Sequence, residues 1–289
     1  MTPARVSVVV VAHNAMGTLG RVLDAIHAQR PARPREVIVV DDASSDGTAA
    51  LAEDRGAHVL RSPVNRGQGA CRNLGWRAAR GDVVVFIDDD CVPQADWLER
   101  GSARFDVGDA EILAGHIDVE VRRASPAALL DLTHHFDQER YAEEGFAASG
   151  HLWVQRAVAE NVGGFDERLT FDEDKDFVER AVAAGARLRY APDAVVTHPS
   201  RTARQLVRRS FRIGRQRGLD AFRSRARAGS YLTAERVRAR LERAGYRAGR
   251  ARLLSIGAAK LVCIRAPIAM GALVGAVKPP RRATPDAEE

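Results

Sequence analysis

Val83-Val84-Val85-Phe86-Ile87-Asp88-Asp89-Asp90-Cys91 decides the fold class. An apolar, mostly β-branched run of this length reads as a strand buried on both faces, the usual state in a parallel sheet. Pro93 and Trp97 follow closely, so the spacing predicts a turn and then a helix. In open α/β sheets, ligands bind beyond the carboxyl ends of the strands. Three carboxylates there repel one another unless a cation offsets them, and hard divalent cations prefer oxygen ligands. The same residues also read as a solvated acidic turn, and nine residues alone do not choose.

The flanking chain repeats the theme. Val6 to Val11 forms a second apolar run, closed by Ala12-His13-Asn14. Leu19, Val22, Leu23 and Ile26 recur at helical spacing. Glu36 to Val40 reads as a strand ending in Asp41-Asp42, and Ser44-Ser45-Asp46-Gly47-Thr48 as a turn with capping residues. Ala57 to Arg61 is a short strand, and Gly67 and Gly69 open a helix running to Arg80. Strand and helix alternate through short links, which predicts a doubly wound, mostly parallel sheet flanked by helices. Two acidic strand ends then share one rim and suit a hydroxyl-rich ligand with a metal. No G-x-G-x-x-G follows the first strand and no G-x-x-x-x-G-K-[ST] occurs, which argues against a dinucleotide oxidoreductase and a P-loop NTPase.

Further along, strands are expected at Glu111 to His116 and Gly150 to Val154, and a helical stretch at Ala127 to Tyr141. The His134-His135 pair reads as surface. A helix is expected after Phe171-Asp172-Glu173-Asp174, where acidic residues also suit the helix dipole. Arg187 to Tyr190 and Ala194 to His198 read as two short strands.

Composition sets the bounds. The 289 residues are 45% hydrophobic, enough for one large α/β domain or one domain with an appendage. Cys71, Cys91 and Cys263 are widely spaced, without a disulfide or zinc pattern, and suggest a reducing compartment. No signal peptide is read at the start. Residues 1–200 hold 22 basic and 32 acidic side chains, whereas residues 201–289 hold 22 and 6. An acidic body therefore carries a basic tail, and such a tail points to an anionic partner.

The ordered motifs resemble one family, the family 2 glycosyltransferases of GT-A (Rossmann-like) fold. They are Val6 to Asn14, Asp41-Asp42-Ala43-Ser44, Asn65-Arg66-Gly67 with Arg72-Asn73, Asp88-Asp89-Asp90, Gly163-Gly164-Phe165-Asp166-Glu167, Glu173-Asp174 and His198, spanning residues 5–200. The resemblance implies a donor site for a nucleotide-diphosphate sugar made by His13, Asp41, Asp42, Gly67, Asp88 and Asp89. It implies Asp90 on Mn2+ or Mg2+, His198 in the metal shell or on the diphosphate, and Asp174 as general base in an inverting transfer of one sugar to a hydroxyl acceptor, a sugar or a lipid-linked sugar. Trp153 and Glu173 are the expected acceptor-side residues, although Trp153 reads more readily as a core residue. Cell-surface polysaccharide or glycolipid synthesis is the expected setting. Rival readings are a nucleotidyltransferase and a non-catalytic carbohydrate- or lipid-docking protein. The former usually needs a basic, Gly-rich loop where Ala12-His13-Asn14-Ala15 stands.

The expected division is a catalytic domain at 1–200, a basic helical tail at 201–278 and a disordered end at 279–289. Helices are expected at 201–227 and at Thr233 to Arg252. The tail reads either as packed on the body or as lying on an anionic membrane surface. Nucleic acid is not an expected partner, since aromatics are 6% and no binding motif is present. The longest uncharged run, Ala266 to Val277, is too short to span a bilayer. Gln205-Leu206-Val207-Arg208 has the Q-x-x-R spacing of processive relatives but lacks the following Trp, which favours single addition. The expected location is cytoplasmic, and on the inner face of the plasma membrane if the tail docks there.

Overall fold

The computed structural model describes residues 5–214, 234–246 and 250–270. The strands are β1 (Val6–Ala12), β2 (Glu36–Asp42), β3 (His58–Ser62), β4 (Val83–Asp88), β5 (Val92–Pro93), β6 (Ile112–Glu120), β7 (His151–Gln155) and β8 (Leu188–Pro199). The helices are α1 (Leu19–His27), α2 (Thr48–Asp54), α3 (Gln68–Ala78), α4 (Trp97–Asp106), α5 (Pro126–His134), α6 (Gln138–Glu143), α7 (Arg156–Val162) and α8 (Glu173–Ala183). Beyond them come α9 (203–214), α10 (Ala234–Arg243) and α11 (Arg250–Lys260). The helical path of α11 continues, through a π-helical turn, to residue 270.

The chain divides into two compact units. The first comprises Met1–Asp118 and Phe136–His198, the second Val119–His135 and Pro199–Glu289. Residues 119–135 thus group with the tail.

In the first unit the strands run in the order β3-β2-β1-β4-β7-β6-β8-β5. The half from β3 to β4 is parallel, whereas β7 joins β4 antiparallel, β6 joins β7 antiparallel and β5 joins β8 antiparallel. The apolar runs have the cause expected for them. Val8 and Val10 of β1, with Val83, Val85 and Ile87 of β4, enter one core beside Leu19, Leu23 and Ile26 of α1. Val9, Val84 and Phe86 enter the opposite core beside Trp76 of α3 and Phe177 of α8. Side chains alternate across a strand, so a strand covered on both faces must be apolar at every position.

Two expectations about elements change. The helical stretch at 127–141 is two helices, α5 and α6, separated where Phe136 takes a left-handed φ of 57°. The two short strands at 187–198 are one, β8, which runs through Pro192.

In the second unit α10 and α11 both pack on α5. Asp131 is fully buried there, and its carboxylate accepts the Arg201 backbone N–H at 2.7 Å and Nη1 at 3.1 Å. His135 Nδ1 lies 2.8 Å from the same carboxylate. The His134-His135 pair is therefore half-buried inside this unit, not on its surface. The expected helices at 201–227 and 233–252 are described only in part, and the expected disordered end at 279–289 lies outside the described residues. One further expectation is corrected: Leu253–Met270 is one helical stretch, long and apolar enough to cross a bilayer by length and composition.

Candidate active site

The parallel register builds the rim. Ala12 lies opposite Asp41, and Val11 opposite Asp88, so the segments after β1, β2 and β4 emerge side by side. His13 Nδ1 sits 2.7 Å from the Asp42 carbonyl oxygen. Asn14 donates its backbone N–H to Ser44 Oγ and accepts the Ser45 N–H at Oδ1, which ties the first two turns together. The nearly buried Asp42 carboxylate accepts the backbone N–H groups of Arg66 at 2.7 Å and Gly67 at 3.0 Å. Asp42 thereby fixes the entry to α3. Asp89 accepts the His13 backbone N–H, and its carboxyl is pushed up to about 7, first by burial and then by the adjacent charges of Asp90 and Asp88.

The cation position follows from β5. Val92 pairs with Thr197 in antiparallel register, which brings the end of β8 back beside the acidic turn. His198 Nε2 lies 3.3 Å from Asp90 Oδ2. Ligand atoms of Asp88, Asp90 and Cys91 lie within 4.8 Å of one another. Carboxylate oxygens with one imidazole nitrogen suit Mn2+ or Mg2+. Cys91 is fully buried in the core beneath, and a thiol is a poor ligand for such hard cations. Asp88 and Asp90 offer the oxygen donors that a hard dication prefers, and His198 stands beside Asp90.

Arg72, on α3, joins this turn to α8. It is almost wholly buried, with Nη1 donating to Glu173 Oε1 at 2.7 Å and Nη2 3.6 Å from Asp88 Oδ1. Next to Glu173, Asp174 Oδ2 accepts both the backbone N–H and the hydroxyl of Ser149, at 3.0 and 3.2 Å. Ser149 precedes Gly150, whose carbonyl accepts the Asp88 N–H at 3.4 Å. A Cβ at Gly150 would meet Asp88 Oδ2 at 2.9 Å, so a side chain there would displace that carboxylate. The Ser149-Gly150 dipeptide therefore touches both Asp174 and Asp88.

His13, Asp42, Gly67, Asp88, Asp89, Asp90, Asp174 and His198 thus belong to one connected set of turns. Three expected site residues stand elsewhere. Asp41 is fully buried, accepts the Ser44 N–H and pairs with Arg61 at 3.2 Å, so no part of it faces a donor. Trp153 is fully buried against Trp97 and Phe105, and its indole N–H donates to His151 Nε2, so it is a core residue rather than an acceptor platform. Glu173 is buried on Arg72 and turns away from an acceptor role. Arg72 and Ser149 were missed as site members. Arg72 carried a signal, since it falls one turn into a helix that opens at the rim; Ser149 carried none.

The family model for glycosyl transferase family 2 matches residues 7–162. Glycosyltransferase AglE of Haloferax volcanii is 29% identical over 218 residues, covering 73% of this chain and 72% of its own. The pre-mycofactocin glycosyltransferase of Mycobacterium tuberculosis is 32% identical over 212 residues and covers 68% of this chain. The alignment spans only 43% of that relative, less than half its length. Among solved structures, a mannosyltransferase from Pyrobaculum calidifontis, in complex with GDP-Man and Mn2+, superposes with a TM-score of 0.63 at 21% identity. It covers 96% of this chain and 88% of its own, and the shared fold is GT-A.

Proposed function

The chain belongs to glycosyl transferase family 2, and from that membership we propose that it moves one sugar, with inversion, from a nucleotide-diphosphate sugar to a hydroxyl acceptor in a metal-dependent reaction. The observation that carries this reading is the unbroken line of contacts from Glu173 through Arg72 to Asp88, together with the approach of His198 to Asp90. Carboxylates from β4 and α8 and an imidazole from β8 meet at one rim, as a pyrophosphate-gripping site needs.

His13 and Asp42 receive the nucleoside, and the α3 entry at Gly67 runs beside it. Asp88, Asp90 and His198 would hold Mn2+ or Mg2+, which when bound would supply Lewis-acid stabilisation of the leaving diphosphate. Asp174 takes the proton from the acceptor hydroxyl as the new glycosidic bond forms and the bond to the diphosphate breaks. The Ser149 N–H and hydroxyl fix the orientation of that carboxylate. Arg72 holds Asp88 and Glu173 in place from beneath. A single displacement inverts the anomeric centre. The acceptor belongs to cell-surface polysaccharide or glycolipid synthesis. The location is cytoplasmic and peripheral at the inner membrane face, in keeping with three free, buried cysteines.

Thermal shift with UDP-, GDP- and dTDP-sugars plus Mn2+ tests the donor class, because a ligand at 100 times its Kd stabilises by about 2.7 kcal/mol. One donor raises the midpoint, and nucleoside diphosphate is released only with metal. A shift with no nucleotide-sugar, or unchanged release by Asp90→Ala, overturns the proposal.

A further inference from the structure

The helical stretch 250–270 has two apolar sides. On one, Ile256, Cys263, Pro267 and Ile268 are buried. This side is already covered, because α11 packs on α5 and Gly214 of α9 abuts the Ile268 carbonyl with no room for a side chain. On the other side Leu254, Ala258, Leu261, Val262 and Arg265 fall at three- and four-residue spacing. Leu254 is 75% exposed, Leu261 58% and Val262 63%, and Met270 is exposed beyond them. The outward face of a water-facing helix is normally polar. A contiguous apolar stripe there marks an interaction surface.

We propose that this outward stripe lies in the headgroup–acyl boundary of an anionic membrane, with the helix in the plane of the surface. The proposal rests on the peripheral location given above and names the surface responsible. Charge complementarity selects the occupant: residues 201–289 hold 22 basic and 6 acidic side chains. Arg204, Arg208 and Arg212 of α9, and Arg238 and Arg243 of α10, are exposed. Polybasic segments are drawn to anionic lipid, whereas two such tails repel each other. Arg265, within the stripe, can lay its stem on apolar surface and keep its guanidinium at phosphate level. Length alone would let Leu253–Met270 cross the bilayer. Crossing would also carry Lys260, Arg265 and the side packed on α5 into hydrocarbon, and charges there are costly. Lying in the plane leaves the α5 contact in place.

The test is sedimentation of the full-length chain with phosphatidylcholine vesicles, with and without phosphatidylglycerol. The chain is expected to sediment with the anionic vesicles, to stay in solution with the neutral ones, and to be released by alkaline carbonate. Leu261→Asp with Val262→Asp is expected to lower partitioning about ten-fold or more. Arg265→Glu, which leaves the apolar groups intact, weakens binding to anionic vesicles. Binding by these variants equal to wild type overturns the proposal, as does equal binding to both vesicle types. Carbonate resistance with protease protection of the C-terminal region overturns it in favour of a spanning helix. A lipid-free dimer abolished by Leu261→Asp with Val262→Asp overturns it in favour of a second copy. Donor and Mn2+ thermal shifts of the same variants are expected to match wild type. Vesicle binding without any donor shift sinks the catalytic reading alone, and a donor shift without vesicle binding sinks the docking alone.

Discussion

His198 Nε2 and Asp90 Oδ2 lie 3.3 Å apart, although one ends β8 and the other ends the turn after β4. The contact makes His198 a candidate for the last place in the cation's shell. His198→Ala is expected to raise the Mn2+ concentration for half-maximal activity at least about ten-fold. Asp90→Ala removes the metal response altogether. A Mn2+ titration of nucleoside diphosphate release reads both, and an unchanged midpoint for His198→Ala puts the imidazole outside the shell.

In the proposed reaction Asp174 would take the proton from the acceptor hydroxyl. Asp174→Asn keeps the shape and the Ser149 contacts but cannot take a proton. The donor-induced thermal shift should stay near wild type while kcat falls about a hundred-fold or more. Ser149→Ala loses the hydroxyl contact and keeps the N–H, so its kcat should fall only several-fold, in line with about 1 kcal/mol for one hydrogen bond. Wild-type kcat in Asp174→Asn would falsify the assignment of the base.

Arg72 and Glu173 form a buried pair, with side chains only 3% and 8% exposed. Removing one partner strands the other charge in the protein interior, at a cost of about 3–5 kcal/mol. Arg72→Leu should therefore lower the urea midpoint sharply. Adding Glu173→Gln removes the stranded charge and should recover part of the loss. A double variant no more stable than the single would place the cost in packing instead.

His151 links the core to pH. Its Nε2 accepts both indole N–H groups, from Trp97 at 2.7 Å and Trp153 at 2.9 Å. Burial pushes its pKa down to about 3 from an ordinary 6.5. The unfolded chain then takes up the proton first, so stability falls as pH drops below about 6.5 and continues to fall toward 3. His151→Gln keeps an acceptor that does not titrate in this range. Its Tm should fall less than that of wild type between neutral and mildly acidic pH. Parallel Tm curves for the two proteins would show that His151 has no part in the acid response.

The parallel half of the sheet was legible because β1, β2 and β4 are buried on both faces, which writes an apolar residue at nearly every position. The acidic strand ends were legible for the same reason: carboxylates directly after such runs must sit at the rim. Orientation was not legible. Asp41 and Asp42 are adjacent, yet one is sealed into a turn with Ser44 and Arg61 while the other holds the α3 entry. Trp153 lies in the core, the more ready of its two readings, but a strand pattern does not say which neighbours cover it. Arg72 was marked by its place one turn into a helix that opens at the rim, whereas Ser149 depends on separate segments meeting, which no local spacing records. Pro192 falls between the two short strands expected at 187–190 and 194–198, but proline's fixed φ is compatible with an extended strand, so β8 continues through it.

The two-residue pairing of β5 with β8 has a consequence for how chain length can drift in homologues. Insertions in the connections between Pro93 and Leu188 leave the partnership of Val92 with Thr197 untouched, since that partnership is counted from its own ends. A single deletion immediately after Val196 would instead rotate the following side chains to the opposite side of the strand and swing the imidazole away from Asp90. The stretch from Val196 to His198 therefore cannot change length without moving His198 relative to Asp90.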